Sequence, residues 1–169
     1  MTLTKSKYYF EALDNYPYNL PGCLEALNYA LSYDPEDADS LCLMGRIYSE
    51  VLTDYEKAKL YFEEAMLYDV TNLNTPKYYI KCLLDNEDFQ KAEKLINYSL
   101  KIKGIDKSTL WFYRALLSEK RGSFQNALKF LTEAEKYCFT SHSFNVVKDR
   151  KKFIKSKMPR KSKKKKETK

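Results

Sequence analysis

Apolar positions along this chain follow a helical period, and the same arrangement returns about every 34 residues. In DYEKAKLYFEEAMLYD, Ala58, Phe62 and Ala65 stand four and three residues apart, which places them on one face of a helix. Related segments open at Leu20, Asp88 and Ser123. Their leading large residues, Leu20, Tyr55, Phe89 and Phe124, are 35, 34 and 35 residues apart. Small residues follow three later at Cys23, Ala58, Ala92 and Ala127. Large ones return at Leu27, Phe62, Ile96 and Leu131, then small ones at Ala30, Ala65, Ser99 and Ala134. Small side chains on a packing face admit a second backbone at close range.

Between these segments lies a second set of helical patterns: Thr4–Tyr16, Ala38–Leu52, Thr75–Asn86 and Ser108–Gly122. Starts are signalled by Asp39 or Ser40, by Thr75 before Pro76, and by Ser108. The unit is therefore a helix–turn–helix hairpin, present four times. A single hairpin of this kind cannot bury its own apolar face, so stacking of neighbours must supply the core.

The second unit carries a family pattern most fully. Leu41, Met44, Gly45, Tyr48, Ala58, Phe62 and Ala65 resemble the signature of the tetratricopeptide repeat, with one residue inserted in the turn SEVLTDY. The fourth unit keeps Trp111, Ala115, Gly122, Ala127, Leu131 and Ala134, whereas the third has Ile80 at the glycine place and the first has Glu11 at or beside it. The resemblance implies an all-α fold, a right-handed α-α superhelix over residues 4–140. Its repeats run about 4–37, 38–72, 73–107 and 108–141, and an amphipathic capping helix follows at 142–158. It also implies a concave groove lined by the first helices. Helical register then assigns to the groove Tyr8 with Ala12, Cys42 and Arg46, Lys77 and Lys81, and Phe112, Leu116 and Lys120. The matching ligand is an acidic protein segment with an apolar anchor, because guanidinium and ammonium groups pair with carboxylates and aromatics anchor interfaces. Arg46, Lys77 and Lys81 are equally readable as a solvated helix face. The carboxylate clamp of the chaperone-binding members has no counterpart, since Ala12 and Leu43 stand at its asparagine places.

Charge divides the chain. Residues 148–169 hold 13 Lys or Arg against two acidic residues, while the remainder holds 17 basic and 21 acidic, so a mildly acidic body carries a basic end. The segment RKSKKKKETK has no apolar residue and reads as a disordered tail over 159–169. As a solubilising tail it has no ligand; as a polyanion site it would use Lys155, Lys157, Arg160, Lys161, Lys163, Lys164, Lys165 and Lys166 on RNA or DNA, a ribosomal surface or anionic lipid. The same run also reads as a nuclear-import signal. The four cysteines show no metal or redox spacing and the single histidine, His142, has no catalytic company, so neither metal, cofactor nor enzymatic activity is expected. No stretch has the length and apolarity of a transmembrane helix, and a cytoplasmic location is expected. Two functions stand: a non-enzymatic adaptor that holds a protein partner in its groove, or an RNA- or ribosome-associated factor anchored by its tail.

Overall fold

The computed structural model describes residues 6–158, and these are all-α, with no strand among them. They form helical hairpins in a tetratricopeptide-like solenoid, in two compact units that divide between Asp106 and Lys107. The first unit contains three hairpins. These are α1 (Lys7–Asn15) with α2 (Leu20–Tyr33), α3 (Ala38–Arg46) with α4 (Tyr55–Tyr68), and α5 (Thr75–Asp85) with α6 (Phe89–Ser99). The second unit contains α7 (Lys107–Lys120), α8 (Phe124–Lys136) and α9 (Ser141–Lys157).

Caps set the helix starts. Ser6, Asn19, Asp37, Asp54 and Thr140 each accept a backbone N–H from the first turn of the helix that follows. Asp37 thus starts α3 ahead of both Asp39 and Ser40, because its carboxylate reaches the Ser40 amide at 3.2 Å.

The small residues sit where helices come closest. Ala58, Phe62 and Ala65 are all wholly buried. A side chain added at Gly45 would lie 2.8 Å from the Phe62 ring, so the missing Cβ is what lets α4 seat its phenylalanine against α3. Phe62 then stacks on Tyr79 of the next hairpin, with ring centroids 5.5 Å apart. In the third hairpin Ile80 takes the glycine place and is itself wholly buried. The second unit repeats the scheme, with Ala115, Ala127, Leu131 and Ala134 packed against Val147 and Ile154 of α9.

The residue inserted in the second hairpin has a definite location. Thirteen residues separate Gly45 from Ala58, against twelve between Ile80 and Ala92 and between Ala115 and Ala127. After α3 the backbone widens into a π turn, Ile47–Val51, where the Leu52 amide donates five residues back to the Ile47 carbonyl at 3.0 Å. The extra residue is absorbed there, and α4 begins in register with its neighbours.

Candidate functional site

The first helices of the three hairpins in the first unit line an open cavity of about 220 Å³. α1 contributes Tyr9 and Leu13, α3 contributes Asp39, Cys42, Leu43 and Arg46, and α5 contributes Tyr78 with Asn74 just before it. The start of α5 is pinned to α3 by one side chain. Asn72 accepts the Asn74 and Thr75 amides at 2.9 and 3.0 Å and donates to Asp39 at 3.1 Å.

Arg46 ends α3 and is the cation of this cavity. Its guanidinium lies between two rings, 4.6 Å from the Tyr16 centroid and 4.2 Å from that of Tyr78. Glu50, carried on the π turn, faces it with Nη2 to Oε2 at 3.6 Å and also accepts a hydrogen bond from the Tyr16 hydroxyl. At that separation the ion pair lacks a good hydrogen bond. The Arg46 Nε–H is buried and has no acceptor within the described residues. Burial, then the hydrogen bond to Glu50, push the Tyr16 phenol up to about 12, so it keeps its proton at physiological pH. Burial likewise raises the Cys42 thiol, against the pull of Arg46 and Lys77, and leaves it a neutral apolar wall rather than a nucleophile.

The residues expected to line a groove are distributed unevenly. Cys42 and Arg46 share the cavity. Tyr8 does not line it, because its ring stacks on Tyr29 and Tyr33 of its own hairpin partner, at 5.3 and 5.8 Å. In the first hairpin Ala12, wholly buried, takes the place that Gly45 has in the second. The register is therefore shifted by one, and Tyr9 and Leu13 occupy the positions assigned to Tyr8 and Ala12. The turn of that hairpin is one residue shorter than those of the third and fourth, with eleven residues from Ala12 to Cys23, which misaligned a register counted back from the second helix. The need for a small residue at the close approach was the signal that points to Ala12. Lys77 lies over the ring of its neighbour Tyr78 at 4.8 Å, and Lys81 pairs with Asp85 at 2.8 Å. Phe112, Leu116 and Lys120 belong to α7 in the second unit, the first two half-buried and the last exposed. Tyr16, Tyr78, Asn74 and Glu50 were not anticipated.

At the basic end, Lys155 is exposed on α9, whereas Lys157 donates to the buried carboxylate of Glu119 at 2.7 Å. Arg160, Lys161, Lys163, Lys164, Lys165 and Lys166 lie outside the described residues. Among the described residues no cluster of His, Cys, Asp and Glu is placed to hold a metal, and no helix is long and apolar enough to cross a membrane.

No family model matches the chain, and no curated protein matches it. Solved structures do. The MamA RS-1 ArsTM double mutant superposes with a TM-score of 0.65 over 90% of this chain and 92% of that one, at 13% sequence identity. The likeness is one of fold. The shared fold is an all-helical, tetratricopeptide-like solenoid.

Proposed function

We propose that the protein is a non-enzymatic adaptor that holds an extended acidic segment of a protein partner along α1, α3 and α5. The observation that carries this reading is Arg46, held between Tyr16 and Tyr78 on the wall of a cavity built by three successive hairpins. The ring pair keeps the guanidinium in one orientation, so little side-chain freedom remains to be lost on binding. Its pair with Glu50 is long and about 20% of the side chain stays exposed, which leaves hydrogen-bonding capacity on the guanidinium for a ligand carboxylate. Asn74 adds a neutral amide to the lining, and Tyr9, Leu13 and Tyr78 supply the apolar wall that an anchoring side chain requires.

Selection of displayed random peptides on the full chain tests the reading. Enriched sequences should combine Asp or Glu with an aromatic or aliphatic residue. Arg46→Glu should weaken their binding at least tenfold and, because it loses two ring contacts and faces Glu50 with a like charge, should melt below the parent. Arg46→Lys, which keeps the charge but loses the planar stack, should weaken binding by less. Peptides without acidic residues, or unchanged binding to Arg46→Glu, would overturn it.

A further inference from the structure

The second unit carries a charged surface that the groove does not use. Six basic side chains lie on α9, and the fold sorts them into two sets. Arg150 and Lys157 both donate to Glu119 of α7, at 2.8 and 2.7 Å, and that carboxylate is almost completely buried. Lys151 donates to Glu135 of α8. These three hold α9 onto the hairpin, together with Val147 and Ile154 in the core. Lys148, Lys152 and Lys155 point the other way and are exposed. The contact of Lys152 with Asp149, 3.1 Å between two side chains about 70% exposed, is of the kind that contributes little.

The outward lysines form a row. With Phe144 they fall at offsets of zero, four, eight and eleven residues, which is one stripe of a helix, and the three lysines span roughly 10 Å along the axis. Phe144 is 42% exposed at one end. At the other end the sequence continues through Arg160 and Lys161 to Lys169 with seven further basic residues and one acid.

We infer that this stripe binds single-stranded nucleic acid, with Phe144 stacking on a base and Lys148, Lys152 and Lys155 meeting successive phosphates. A row one side chain wide follows a strand of charges, whereas a membrane presents a plane. Insertion of α9 into lipid would require one continuous apolar face, but Val147 and Ile154 are spent on the hairpin, and the exposed Val146 and Phe153 lie on the side of the helix opposite Phe144 and the lysine row. Residues 159–169 hold no Leu, Ile, Val, Met, Phe, Tyr or Trp. The exposed ring next to lysines is the combination that sequence-tolerant single-strand binding uses. Because lysines read charge and not base edges, the site should accept RNA and single-stranded DNA alike.

The test uses the full chain and a fluorescein-labelled oligouridylate, with a single-stranded oligodeoxythymidylate and phosphatidylserine-containing vesicles in parallel. Lys148→Glu with Lys155→Glu should weaken oligonucleotide binding at least tenfold. It should also make the plot of log K against log salt shallower by about 1.4, for two lost phosphate contacts. Phe144→Ala should weaken binding about fivefold or more with the salt slope unchanged. Neither variant touches Glu119, so their melting temperatures should match the parent. Binding within twofold of the parent in the double variant overturns the inference. So does a parent chain that binds the vesicles but neither oligonucleotide.

Discussion

Substitutions at Gly45 and Thr53 should move stability in opposite directions, the first through packing and the second through backbone conformation. At Gly45 a methyl group would meet the buried Phe62 ring at 2.8 Å, and the ring has no free space to move into. Gly45→Ala should therefore destabilise by about 1–3 kcal/mol, as other overpacked cores do. Thr53 sits at φ 53° in the turn before α4, a left-handed conformation that a β-branched residue adopts only under strain. Glu87 (φ 60°) and Gly122 (φ 75°) hold the matching place before α6 and α8, each five residues ahead of the conserved-size alanine. Only one of the three is the residue that this geometry favours. Thr53→Gly should stabilise by about 0.5–1 kcal/mol, the relief of strain exceeding the added freedom of the unfolded chain. Urea midpoints of the two variants should move to opposite sides of the parent. The first effect was legible in the sequence, because a glycine inside an apolar helical pattern points to close packing. The second was not, since neither threonine nor glutamate signals a positive φ.

At the scale of elements, the joint between α4 and α6 is polar. Lys59, about 11% exposed, donates to Asp88 at 2.8 Å and to Glu56 at 2.6 Å, and Asn86 also donates to Asp88 at 3.0 Å. The Lys59 ammonium, then the Asn86 amide, hold the Asp88 carboxyl below its usual range. A carboxyl depressed in the folded state binds fewer protons there than in the unfolded chain near its titration range. Its stabilisation is therefore complete at neutral pH and is lost as pH falls through the carboxylate range. Lys59 is raised by the same contacts, so its share is present below the ordinary lysine range and is lost only in strong alkali. Asp88→Asn should cost about 1–2 kcal/mol at pH 7. Its stability should decline less steeply than the parent's between roughly pH 5 and 3. Parallel curves in denaturant titrations across that range would exclude the role. Hairpins and their period were visible from apolar spacing alone. The π turn was visible only as one surplus residue, because the sequence counts residues but does not say which carbonyl an amide will choose.

For the whole molecule, the basic residues separate by what they meet. Arg46 belongs to the groove of the first unit, and the Lys148 row belongs to α9 of the second. If both readings hold, Arg46→Glu should abolish peptide capture and leave oligonucleotide binding within twofold, and the Lys148→Glu, Lys155→Glu variant should do the reverse. Raising salt should suppress the second activity far more than the first, since several exposed contacts are screened where one partly buried pair is not. Loss of both activities in either variant, with the chain still folded by circular dichroism, would count against two separate sites.

The chain's own order of residues was enough to specify helical hairpins, their interval and the places where backbones come close. Those properties depend on periodicity and side-chain volume, which are local and can be read along one dimension. Tertiary structure alone decided that Arg46 lies between Tyr16 and Tyr78, residues 30 before and 32 after it. It also decided that Glu119 takes Arg150 and Lys157 inward while Lys148, Lys152 and Lys155 stay in water. Such partners stand about one repeat apart in the chain and become neighbours only when hairpins stack, so charge counting could find the cations but not assign them.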